Sequence, residues 1–146
     1  MAAGGALLAV PGRAAGGKVL YLQPMGPRLS AADVALVKTA LERFYAFRVV
    51  ELEPVRMPPQ AWYPPRKRPR AEKILDYLAR RAPADAHRVL GLTGLDISTT
   101  KGRYPDWGVL GLASIDGPAG VISMFRCRKG ARGRRHARIR FAKVAV

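Results

Sequence analysis

The chain has 146 residues, enough for one domain and too few for two of ordinary size. Hydrophobic residues make up 49% and charged residues 25%, a globular composition that excludes wholesale disorder. No run approaches the roughly 18 consecutive apolar residues that a crossing helix needs, so no membrane association is expected. Charge is the unusual quantity: 26 Lys and Arg stand against 10 Asp and Glu, a net of +16.

Residues 1–17 are rich in Gly and Ala, with no basic residue ahead of a short apolar patch. They read as a flexible leader rather than an export signal, with the ordered domain over 18–146. The single cysteine, Cys127, can form no disulfide within the chain, so a reducing, cytoplasmic setting is expected. From Lys18 the pattern becomes regular. "KVLYL" (18–22) is a buried strand stopped by Pro24, Gly26 and Pro27. Ser30 and Asp33 open a helix over 31–46 whose apolar face is Val34, Val37, Leu41, Phe44 and Tyr45. "FRVVELEPV" (47–55) is a second strand. The prolines at 58, 59, 64, 65 and 69 make 56–69 an exposed loop without regular structure, with Pro69 entering the next helix. That helix, carrying Ala71, Ile74, Leu75 and Leu78, runs to about Arg81, and "RVLGLT" (88–93) is a third strand. "WGVLGLAS" (107–114) and "AGVISMFR" (119–126), joined by Asp116-Gly-Pro-Ala, form an antiparallel hairpin. An amphipathic helix covers 134–146, with no turn residue to close it, so Phe141, Val144 and Val146 are expected to be incompletely covered. The fold class is α/β: a three-layer-like mixed sheet, mainly parallel with an antiparallel edge hairpin, flanked by helices.

The residues alone assemble no active site. His87 and His136 are far apart in sequence and no H-E-x-x-H is present, so neither is expected to bind metal. Arg126 and Arg128 flank Cys127 and would favour its thiolate, but no base is in sight to orient it. Asp96, just after the third strand, reads as a turn or cap residue. Beyond Asp116 there is no acidic residue. The basic residues there are Arg126, Arg128, Lys129, Arg132, Arg134, Arg135, Arg138, Arg140 and Lys143, and a second cluster is Arg66, Lys67, Arg68 and Arg70. They allow an alternative reading as a small basic nucleic-acid-binding α/β module; if the basicity is incidental, nucleic acid is expected to bind only weakly, without sequence preference and with steep loss as salt rises. The Ala, Gly, Pro and Arg bias of GC-rich coding DNA accounts for the same charge without any function.

Four segments in order, "VLYLQP", "WYPPRKRPRAEKILDYL", "RVLGLTGLDI" and "WGVLGLASIDGPAGVISMFR", resemble the archaemetzincins, a family of zinc-dependent metallopeptidases. The resemblance implies the upper subdomain of a metzincin, peptide-bond hydrolysis, zinc as cofactor and a peptide substrate. It also implies that "FAKVAV" (141–146) corresponds to residues just ahead of the first zinc-binding His. The chain therefore reads as an N-terminal portion ending inside the helix that leads into the zinc motif. It is expected to bind no zinc and to be inactive in this form. No catalytic or metal-binding role carries over to a residue present here. One steric role does: Gly108, Val109, Leu110, Gly111, Leu112, Ala113 and Ser114 are the candidate rim strand along which a peptide backbone would pair.

Overall fold

Alternating apolar strands and amphipathic helices bring the first half of the chain into a parallel sheet. The computed structural model describes residues 17–146; the leader read over 1–17 lies, apart from Gly17, outside them. The elements in order are β1 (Val19–Met25), α1 (Ala31–Phe44), β2 (Arg48–Glu51), β3 (Trp62–Tyr63), β4 (Arg68–Pro69), α2 (Ala71–Arg81), β5 (Ala86–Thr93), β6 (Ile97–Lys101), β7 (Tyr104–Val109), β8 (Gly111–Ala113), β9 (Ala119–Ser123), α3 (Met124–Arg128) and α4 (Arg134–Ala145). The main sheet has the order β2-β1-β5-β9-β8. β1 pairs in parallel with β2 and β5, β5 pairs in parallel with β9, and only β8 runs antiparallel. Among the described residues no helix is long and apolar enough to cross a membrane.

Both faces of the sheet are covered, as a parallel sheet requires. Leu20, Leu22, Leu92 and Ile122 pack with Val34, Val37 and Leu41 of α1 and Phe141 of α4 on one face. Val89, Val121 and Ala119 pack with Ile74, Leu75 and Leu78 of α2 on the other. Ser30 caps α1 as its sequence predicts: its side chain accepts from the Asp33 amide, and the Asp33 carboxylate accepts from the Ser30 amide. Asp33 then accepts from Arg138 Nε at 2.9 Å, tying the start of α1 to α4.

Five expectations need correction. The proline-rich stretch is partly ordered, with 3-10 turns at Pro59–Ala61 and Pro64–Arg66 and an antiparallel pairing of β3 with β4. Proline's fixed φ suits 3-10 turns and short edge pairings as well as open loops, and Ala61 is fully buried. Pro69 lies in β4, and α2 begins two residues later with Arg70 at its N-cap. The apolar run 107–114 is two strands: β7 turns away to pair with β6, and only Gly111–Ala113 joins β9. Residues 124–128 of the expected partner strand are the short helix α3. Phe141 is fully buried, because α1, β1 and β9 close around it, whereas Val144 and Val146 stay half-buried.

The buried Phe141 gives a direct check. Phe141→Ala should cost about 3–5 kcal/mol in urea denaturation. Ile115→Ala, at a residue 92% exposed, should change stability by less than about 0.5 kcal/mol.

Candidate functional site

β8 is the one antiparallel strand of the main sheet and lies at its edge. Its register pairs Gly111 with Ile122, Leu112 with Val121 and Ala113 with Gly120. Ser123 N–H donates to the Leu110 carbonyl at 2.8 Å and Ser114 N–H to the Ala119 carbonyl at 2.9 Å. Antiparallel bonding alternates, so Leu110, Leu112 and Ser114 turn their backbone polar groups toward β9. Gly111 and Ala113 therefore turn theirs outward, to the free edge. Ala113 and Ser114 share a shallow depression with Gly120, Leu90 and Ala145, the last residue of α4. Tyr45 Oη donates to the Val146 carbonyl at 2.5 Å and holds the end of that helix against the sheet.

The seven residues read as a rim strand are thus divided. Gly108 and Val109 belong to β7 and face Ser98 and Ile97 of β6, Leu110 is the break, 111–113 form the edge, and Ser114 follows it with its N–H on the Ala119 carbonyl. Gly108 matters for a different reason. A Cβ there would overlap the Arg126 guanidinium, which lies across the backbone at that point.

Arg126 belongs to an ion cluster built from loops that the sequence leaves unconnected. Arg126 Nε donates to Asp96 Oδ1 at 2.6 Å, and Arg68 Nη1 donates to Asp96 Oδ2 at 2.8 Å. Arg68 Nη2 reaches Asp106 Oδ2 at 2.6 Å, while Arg70 Nη1 and Arg66 Nε lie 3.5 and 3.6 Å from the same carboxylate. Asp96 is therefore an ion-pair centre and not a turn cap, and Asp106 escaped the sequence reading altogether. A signal existed: four clustered cations at 66–70 cannot fold against a surface without carboxylates. The cluster ties β4, β6, β7 and α3 together above the ends of the parallel strands.

The remaining candidates do not converge. His87 lies edge-on to Phe47, with ring centroids 5.5 Å apart. His136 Nδ1 accepts from the Arg132 amide at the start of α4. Cys127 is fully buried, and burial pushes its thiol up despite the opposing charges of Arg140 and Arg128, so the flanking arginines do not activate it. Among the described residues no three His, Cys, Asp or Glu side chains come together as a metal site. In the basic tail, Arg126 pairs with Asp96, Arg128 and Arg138 with Asp33, and Arg140 donates to the Lys129 carbonyl.

Asp33 and Asp106 set a pH dependence. Burial alone would raise both carboxyls. Burial is the largest single influence, but hydrogen bonds from Arg138 and Ser30 to Asp33 and from Arg68 to Asp106, added to the attraction of Arg138, Arg68 and Arg70, together outweigh it and hold both below the ordinary 3.8. A depressed folded pKa gives stability that is complete above the unfolded value and lost as pH falls through the folded one. Unfolding free energy should be flat above about pH 5 and decline in acid. Asp106→Asn should cost about 2 kcal/mol at neutral pH, because Arg68 loses one of its two carboxylates and keeps only Asp96, and should flatten the acid limb. Urea melts of both proteins across pH measure this.

No protein-family model and no curated protein sequence matches the chain. Solved structures do. The archaemetzincin of Methanopyrus kandleri superposes with a TM-score of 0.73 at 21% identity, over 93% of this chain and 72% of that one. The archaemetzincin of Archaeoglobus fulgidus, complexed with malonate, gives 0.65 at 23% identity, over 82% and 68%. A zinc-dependent peptidase from Methanocorpusculum labreanum gives 0.61 at 20% identity, over 82% and 72%. The mainly parallel sheet, its antiparallel edge strand and its flanking helices give this chain the archaemetzincin fold.

Proposed function

We propose that this chain is the N-terminal, peptide-docking portion of an archaemetzincin-like metallopeptidase, with β8 as the strand that a peptide backbone joins. One observation carries the reading: Gly111 and Ala113 turn N–H and C=O groups that no described residue pairs outward beside the end of α4. An extended peptide laid along that edge would satisfy them and be aligned for cleavage by groups beneath it. Of the seven rim candidates, 111–113 form the docking edge, 108–110 lead into it, and Ser114 closes it against β9. Zinc, which the neighbouring Methanocorpusculum peptidase depends on, would on this reading be held by a segment continuing α4; among the described residues no three candidate donors come together.

The test joins an archaemetzincin-type zinc segment directly after Val146. The extended protein should hold one zinc per chain by elemental analysis and show chelator-sensitive peptidase activity. Ala113→Pro removes one outward N–H, and proline is tolerated at an edge strand. It should lower kcat/KM by about tenfold, the loss expected of one good backbone hydrogen bond, and leave zinc content unchanged. A folded extended protein that takes up no zinc would sink the assignment. Unchanged kcat/KM in the proline variant would remove β8 from it.

A further inference from the structure

The chemistry of β8 leaves a second feature unused, a crevice of about 370 Å³ at the carboxyl ends of the parallel strands. It is bounded by the loop after β1, the loop after β5 and the turn leading into β4, with Arg28, Arg66, Lys67, Arg68, Asp96 and Phe125 on its walls. In open α/β sheets, ligands bind outside the carboxyl ends of adjacent strands whose following segments go to opposite faces. β1 and β5 are such a pair. β1 leads into α1 on one face, and β5 leads into β6, which packs on the α2 side.

We propose that this crevice is an oxyanion site that takes a phosphate group. The backbone supplies the first argument. Among the described residues only two non-glycine residues have a left-handed conformation, Arg28 (φ 65°) and Lys67 (φ 50°), and both line this crevice. Such conformations are costly for residues with a Cβ and persist where surrounding structure enforces them. Gly94 enforces one of them: the Arg28 carbonyl sits where a Cβ of residue 94 would be, so the loop rests directly on the end of β5. Lys67 closes a 3-10 turn through its N–H to the Pro64 carbonyl at 3.2 Å.

Charge supplies the second. Asp96 and Asp106 are already engaged by Arg68, Arg70 and Arg126, and Arg66 reaches Asp106 only at 3.6 Å. Arg28 and Lys67 make no ion pair among the described residues, and the buried Arg68 Nε has no hydrogen-bond partner. Cations thus approach from two loops with no carboxylate left over. A planar carboxylate is satisfied by one arginine fork, whereas a tetrahedral dianion presents oxygens to several donors from different directions. Phosphate fits that arrangement, either as the free ion or as the phosphoryl group of a small molecule.

The site is tested by calorimetric titration with inorganic phosphate and, separately, with glycerol phosphate, at ionic strength held constant with sodium chloride. Arg28→Gly combined with Lys67→Gly removes both uncommitted cations and relaxes both left-handed positions, so the variant should melt no lower than the parent. It should bind phosphate about tenfold more weakly or worse, since two charge-assisted contacts are gone. Arg132→Ala combined with Arg135→Ala removes the same charge at the start of α4 and should leave affinity unchanged. Tighter binding of glycerol phosphate assigns the phosphoryl source, tighter binding of inorganic phosphate assigns the free ion, and either upholds the site. Equal losses in the two double variants would overturn it, as would phosphate binding no better than chloride. Binding confined to duplex DNA would also overturn it.

Discussion

A parallel sheet has two apolar faces, and neither can be left to water. That constraint organises this molecule. β1, β5 and β9 are short runs of Leu, Val and Ile with little alternation, so each needs a cover on both sides. α2 alone covers one face, and α1 with α4 covers the other. Phe141 is the pivot of the second cover, closed in by α1 and the sheet, and the buried Asp33 pins the start of α1 to α4 through Arg138. Beside Ala145, Leu90 is only partly covered, and the depression it lines lies directly beside β8.

The elements with a clear period were legible from the residues. α1 and α2 show apolar spacing of three and four, and Ser30 with Asp33 marks where α1 starts. β1 and β5 are bounded by Pro and Gly. The excursions were harder to read. The run Trp107–Ser114 is continuously apolar or small, so nothing local marks Leu110 as the point where pairing passes from β6 to β9. That change is decided by the partners, since β6 takes residues up to Val109 and β9 takes them from Gly111. β6 itself, "ISTTK", is hydroxyl-rich and carries no hydrophobic alternation to announce a strand. The proline count at 56–69 correctly predicts irregular backbone but not burial, because Ala61 and Pro69 are placed by α2 and β6.

The placement of charge is hard to read from the sequence for a related reason. A linear count sees Arg66 to Arg70 and the tail from Arg126 as open polyanion surface. In three dimensions Asp96 and Asp106 sit among the first group, and Asp33 faces Arg128 and Arg138 of the second. Three aspartates thus absorb the cations nearest the sheet ends and turn them into cross-links between loops. What charge remains uncommitted there is local, at Arg28 and Lys67, and not a continuous stripe.

The account rests most heavily on the phase of β8, because everything said of the edge follows from which amides face outward. Amide exchange measured residue by residue by NMR reads that phase directly. Leu112 and Ser114 should exchange slowly, and Gly111 and Ala113 rapidly, with the latter two slowing when an extended peptide occupies the edge. Slow exchange at Gly111 and Ala113 with fast exchange at Leu112 and Ser114 would contradict the assigned register and the docking edge with it.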